Sequence, residues 1–212
     1  TSMVEPAHHL PRRLDVKVRK ATRADVPALE DVLTRAFESD PLMNWIVRQN
    51  EARLDHLKSY MSFALRVATM PYGDVYTTGQ LHGAALWSPP GKWKLGPLQQ
   101  LRGLPGLARG IGLRRVPTVI PALNVIHKLH PRETHYYLGV LGVDPEYQGL
   151  GIGTQLMAPV LQRCDRGGIP AYLESSRQQN VPLYEANGFR VVNEVDLPKG
   201  GPRIWLMWRD PR

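Results

Sequence analysis

Two short stretches of this chain hold residues whose types and spacing suit anion binding and acid–base chemistry. In the first, Gln148-Gly149-Leu150-Gly151-Ile152-Gly153-Thr154 separates an apolar run ending at Val143 from a helical pattern whose inner face is Ile152, Leu156, Val160, Leu161 and Cys164. Glycines at alternate positions let a ligand approach the main chain and expose successive N–H groups. The positive end of the following helix points at the same spot, so the arrangement suits a phosphate or diphosphate. Glycine is also called for by helix entry and close strand packing alone, so the loop by itself is open to both readings. In the second stretch, Asn180 and Tyr184 stand four residues apart, on one face of a short helix. Ahead of them Glu174 ends the apolar run Ile169 to Leu173, where a carboxylate is expensive to bury unless paired or functional.

Other phosphate loops fit less well. A Walker A loop ends in Gly-Lys-Ser/Thr, whereas Gly153-Thr154 has no lysine between. A dinucleotide fingerprint would use Glu174, but the spacing is GxGxG, and only 212 − 149 = 63 residues follow Gly149, too few for a doubly wound sheet. No G-x-S-x-G elbow supports a hydrolase. His127, His130 and His135 cluster in sequence but have no nearby cysteine or evident carboxylate partner, so no metal is expected.

The loop matches Q-x-x-G-x-G of the GNAT superfamily of N-acyltransferases through Gln148, Gly151 and Gly153, and the segment AYLESSRQQNVPLYEANGF (171–189) resembles that family's second signature. The run LGV-x-P-x-x-QG-x-G-x-G, then LESS, then N-x-P-x-Y-E-x-x-GF, together with VRKATRADVPAL (18–29), is similar to the puromycin N-acetyltransferase branch. The likeness implies acetyl-CoA as cosubstrate and a primary amine, of a small molecule, as acceptor. It implies that main-chain groups of Leu141, Gly142 and Val143, on a strand splayed from its neighbour, hold the pantetheine arm and acetyl carbonyl. The loop from Gln148 through Gly149, Leu150, Gly151, Ile152 and Gly153 to Thr154 would hold the diphosphate, and Asn180 the pantetheine. Tyr184 would protonate the leaving sulfur, unless it is a packing aromatic. Glu174 would take the amine proton, unless it is a structural carboxylate held by main-chain N–H groups or an arginine. His135 and Tyr137 share a strand face and read either as core or edge residues or as lining of the acceptor pocket. The likeness is absent over 90–131, so the acceptor itself is not named.

The elements that must position these groups read as mixed α/β: a mostly antiparallel twisted sheet with one parallel splayed strand pair, flanked by helices. Strands are expected over Leu14–Arg19, 74–78, 81–88, Thr134–Val143, Ile169–Ser175, Phe189–Val195 and Arg203–Trp208. Helices are expected from Thr22 to Phe37, over Glu51–Met70, Ile152–Arg166 and Asn180–Asn187, with a break at Asp40-Pro41. The stretch 92–131, rich in Gly, Pro and Leu, reads as short helical pieces joined by turns. One catalytic domain is expected over 14–212, with an insertion at about 89–132 and a flexible tail over 1–13.

Of 212 residues, 27 are Lys or Arg and 19 Asp or Glu, a net charge of +8. The excess lies in one block. Between Val75 and Arg132 no acid occurs, against eight bases: Lys92, Lys94, Arg102, Arg109, Arg114, Arg115, Lys128 and Arg132. Such a block is either a solvated surface or an attractor of anions, from cofactor phosphates to nucleic acid or anionic lipid. With a single cysteine, no apolar run of spanning length and no secretory leader, the expected compartment is the cytoplasm. A homodimer is the default for so small an enzyme. The alternatives in other classes are a CoA-binding regulatory protein without catalysis and a nucleic-acid-binding protein.

Overall fold

A computed structural model describes residues 13–212 of the chain; the expected tail, apart from Arg13, lies outside them. Among the described residues one seven-stranded sheet is ordered β1-β2-β3-β4-β5-β7-β6. Its strands are β1 (Val18–Lys20), β2 (Val75–Thr78), β3 (Gly83–Ser88), β4 (Tyr136–Val143), β5 (Ala171–Ser175), β6 (Arg190–Asp196) and β7 (Arg203–Arg209). Every pairing is antiparallel except β4 with β5. The helices are α1 (Val26–Phe37), α2 (Pro41–Ile46), α3 (Arg53–Phe63), α4 (Pro97–Ile111), α5 (Val116–Leu129), α6 (Ile152–Gly167) and α7 (Val181–Ala186).

Period-two alternation assigns each strand residue to a layer. On β3, Ala85 and Trp87 face α6, whereas Ala84 and Leu86 face α1 and α3. On β5, Ala171 and Leu173 again face α6, and Tyr172 points the other way, into a cluster with Ala122 and Ile126 of α5. The central side chains are fully buried, and each leucine among them contributes about 1.5–3 kcal/mol by leaving water.

β4 carries a local irregularity that matters for the site. Leu86 pairs with Val140 and Trp87 with Leu138, so Gly139 is an extra residue with no opposite number. Such a bulge bends a strand and shifts its alternation. Leu138 and Leu141 therefore both pack on the α6 side, while Val140 packs on the other. Pairing with β5 covers only Tyr136 to Leu138, which leaves the β5-facing edge of β4 beyond the bulge without a strand partner.

Four expectations need correction. The first strand is only Val18–Lys20, because Leu14 and Val16 instead hydrogen-bond to Leu150 and Gln155 at the start of α6. Asp40-Pro41 begins a helix rather than merely breaking one: the Asp40 carboxylate accepts from Met43 N–H at 2.9 Å, and Pro41 sits at the first helical position. The helix expected to Met70 changes after Phe63 into a π-helical turn over Ala64–Thr69, which Thr69 steadies by donating to the Ala64 carbonyl at 2.8 Å.

The largest correction is at 92–131, which holds two full helices, α4 and α5, of 15 and 14 residues. Gly103 and Gly110 are contact points rather than turns, whereas Gly112, at φ +80°, does end α4. A Cβ at Gly103 would fall 2.2 Å from the Phe63 ring, and one at Gly110 3.2 Å from the His56 carbonyl, so these positions let α4 lie close against α3. The prolines Pro97 and Pro117 occupy first-turn positions, where no N–H is lost from the helix.

Candidate active site

Two cavities meet beneath the sheet's open seam. The first, of about 440 Å³, is walled by Leu141, Gly142 and Val143 of β4, by the loop Gln148, Gly149, Gly151, Ile152 and Gly153, and by Asn180, Leu183 and Tyr184. Gly149 and Gly151 adopt φ of +75° and +78°, a left-handed conformation that costs any other residue about 1–2 kcal/mol. Gly153 has an ordinary φ, and a Cβ there would make only van der Waals contact at 3.5 Å. The loop is braced from outside. Asp144 accepts from Arg35 at 2.5 and 3.1 Å, and Tyr147 stacks on His82 with ring centroids 4.0 Å apart. Ile152 and Gly153, in the first turn of α6, wall this cleft together with the part of β4 that has no β5 partner.

The second cavity, of about 260 Å³, lies between α2, α3, the π turn and α5. Its wall is mainly apolar, with Leu42, Met43, Ile46, Met61, Phe63 and Leu123 prominent. Two carboxylates face it, Asp40 and Glu174, and Phe37 and Asp40 line both cavities. Asp40 is buried, accepting from Met43 N–H at 2.9 Å and from the Ser176 hydroxyl at 2.5 Å.

Glu174 is placed by alternation. It follows Leu173 on β5 and shares a face with Tyr172, whose parallel neighbour across the ladder is Tyr137 of β4. The Tyr137 hydroxyl donates to Glu174 Oε2 at 2.6 Å, and His130 Nδ1 lies 3.2 Å from Glu174 Oε1. Burial, and then the charge of Glu174, raises the Tyr137 phenol well above its ordinary value, so it remains a neutral donor. Burial likewise raises the Tyr184 phenol, with a smaller push from Asp40, which keeps its proton in place at neutral pH.

Most residues singled out from the sequence come together here. Leu150 and Thr154 do not line the cleft: Leu150 packs against the core, and the Thr154 hydroxyl accepts from Asn187 at 3.1 Å. The Gln148 side chain donates to the Val143 carbonyl at 3.0 Å, tying the loop back to the strand. Asn180 is the residue ahead of α7, one turn before Tyr184. Glu174 and Tyr184 line different cavities, on either side of Phe37 and Asp40.

The carboxylate partner that the histidine cluster lacks in sequence exists in space, since the sheet brings Glu174 to His130 across 44 residues. Asp40 also gains a place that local pattern did not signal, whereas Tyr137, one of whose two readings was pocket lining, does line the second cavity. Among the described residues no group of three or more His, Cys, Asp or Glu is arranged to hold a metal ion, and no helix is long and apolar enough to cross a membrane. None of the eight bases of the 92–132 block lines either cavity; Lys94, Lys128 and Arg132 instead border an outer hollow with Trp93 and His127.

The Acetyltransferase (GNAT) family model matches residues 107–189. An uncharacterized N-acetyltransferase of Schizosaccharomyces pombe is 31% identical over 190 residues, which cover 84% of this chain and 77% of that relative. The chain thus belongs to the GNAT family and is an acetyltransferase. A Corynebacterium glutamicum structure described as histone acetyltransferase HPA2 and related acetyltransferase shares the fold with a TM-score of 0.73, at 23% identity over 94% of this chain and 98% of that one. Arylalkylamine N-acetyltransferase 2 of Aedes aegypti shares it at 0.59, with 12% identity over 94% and 100%.

Proposed function

We propose that this protein acetylates the primary amine of a small molecule that carries an apolar body, by direct attack with both substrates bound. The carrying observation is the meeting of the two cavities at Phe37 and Asp40, with Tyr184 on the loop side and Glu174 on the other. We assign residues 14–212 to one catalytic domain in which 89–132 serves the acceptor side. The likeness to the puromycin N-acetyltransferase branch supports the same reading.

Members of this family use acetyl-CoA, which supplies the acetyl group as a thioester. The residues present suit it: main-chain N–H groups beside two left-handed glycines for the diphosphate, and the free edge of β4, with Asn180, for the pantetheine. Holding both reactants in adjoining cavities is the main contribution, since alignment removes much of the entropic barrier. Asp40 and Glu174 attract the ammonium form of the acceptor, and no lysine or arginine lines that cavity to repel it. Glu174 takes the proton, the nitrogen attacks the thioester carbon, and as the C–S bond breaks Tyr184 protonates the sulfur. The apolar wall from Leu42 to Leu123 selects alkyl or aryl amines over polyamines and amino acids.

The test is release of CoA thiol over a panel of alkylamines, arylalkylamines, aminonucleosides, polyamines and protein N-termini. Turnover led by the apolar monoamines supports the reading. Tight CoA binding with no release across the panel leaves a CoA-binding regulatory protein. No heat of binding for CoA or acetyl-CoA in calorimetry overturns both. Sedimentation of the same material tests the expected homodimer.

A further inference from the structure

His130 and His135 form, with Glu174, a chain whose hydrogen-bond polarity is set from one end. His135 Nδ1 lies 2.6 Å from the Glu133 carbonyl, which only accepts, so Nδ1 carries a proton. His135 is buried, and desolvation first of all lowers its pKa, so at neutral pH it holds that proton alone and Nε2 is bare. His130 Nε2 stands 3.0 Å from this bare nitrogen and must donate to it. The remaining nitrogen of a singly protonated His130, Nδ1, then presents a lone pair to Glu174 Oε1 at 3.2 Å. Oε2 is already satisfied by the Tyr137 hydroxyl. Between Nδ1 and Oε1 there is consequently a place for one proton, and leaving it empty sets two lone pairs face to face with the His130 side chain only 1% exposed.

We infer that His130 and Glu174 act as one proton-accepting unit, with His130 a positioning residue whose orientation and tautomer are imposed by His135 and Glu133. The inference rests on Glu174 being the base of the proposed reaction. An N–H bond of the acceptor ammonium breaks, an O–H bond forms on Glu174, and that proton is shared with His130 Nδ1 until it returns to solvent. The sulfur receives a proton from Tyr184 as the C–S bond breaks, and the second proton that the attacking nitrogen sheds on becoming an amide makes good the one Tyr184 gives up, so one proton leaves to solvent overall. His130 is held for this task by Trp93, whose ring stacks on it at 3.6 Å, and by Tyr172 and Tyr137 edge-on at 4.7 and 5.0 Å. The titratable or charged groups facing it are Glu174 and Tyr172 from β5, Tyr137 from β4, His135 ahead of β4, His127 one turn back on α5, and Lys94 across the Trp93 ring at 5.0 Å.

Nitrogen-15 imidazole spectra of the full chain between pH 5 and 9 test the order of protons. The expected result is His135 protonated on Nδ1 alone and His130 on Nε2 throughout, with the shared proton lost over the pH range in which turnover rises. A His130 bare at Nε2 in the active range overturns the inference. His135→Phe supplies a kinetic reading: freed of its acceptor, His130 turns its proton toward Glu174 and stabilises the carboxylate. The acid-side midpoint of kcat should fall by about one pH unit, with KM for acetyl-CoA kept. A loss of activity equal at every pH overturns it as well. Should no amine release thiol, the proposed function fails, while the spectra still decide the proton order.

Discussion

The two halves of the site are built on different principles. The proposed cofactor side, β4 to α7, presents main-chain groups held by backbone conformation: two left-handed glycines, a bulge at Gly139 and a strand edge with no partner. The proposed acceptor side, α2 to α5, is a side-chain surface assembled from segments far apart in sequence, with its carboxylates arriving from the start of α2 and from β5. A main-chain site tolerates side-chain change and suits one invariant ligand; a side-chain site changes its ligand with each substitution. The contrast explains why one half of this chain is written as a motif and the other is not.

Near-isosteric substitutions that remove chemistry while keeping the shape of either wall should have the largest effects. Glu174→Gln is expected to lower kcat by about 10³-fold while CoA affinity is kept, read by steady-state kinetics and calorimetry. Tyr184→Phe should follow, at about 10²-fold on the same measures, since water can protonate a thiolate in part. Equal losses of CoA affinity in either variant would mean that the cavities are not separable.

Smaller effects sharpen the division. Gly151→Val should weaken CoA binding by about tenfold or more and cost about 1–2 kcal/mol of stability, because φ of +78° is hostile to a branched side chain. Gly103→Leu should do the reverse. It forces α4 from Phe63, lowers stability by about 1–3 kcal/mol in thermal melts, and spoils the amine KM while leaving CoA affinity unchanged. The smallest effect expected is at Cys164: burial pushes its thiol up to about 12, so alkylating reagents should leave the native protein unmodified and active. As this is the chain's only cysteine, thiol-release assays then read coenzyme alone.

Legibility followed the same boundary. Gln148 to Gly153, Asn180 and Tyr184 were recognisable because fixed spacing in a loop and a short helix fixes their geometry locally. Glycine and proline misled at 92–131, where Gly103 and Gly110 serve close helix contact, Pro97 and Pro117 sit in first turns and Pro105 and Pro121 are carried inside the helices, so a turn-like composition folds as α4 and α5. His130 looked partnerless for a similar reason: its carboxylate lies 44 residues away, and only the seating of the end of α5 against β5 sets Glu174 beside it.

By itself the sequence determined the order of elements around β4, α6 and β5, the glycine loop, and the family, because each depends on interactions among near neighbours in the chain. Only the tertiary structure decided that Asp40 lines two cavities, that Glu174 joins Tyr137, His130 and His135, and that the eight bases of the basic block line neither cavity. Those are contacts between strands and helices distant in sequence, and they exist only once burial of the apolar faces has set the register of the sheet and the seating of the helices upon it.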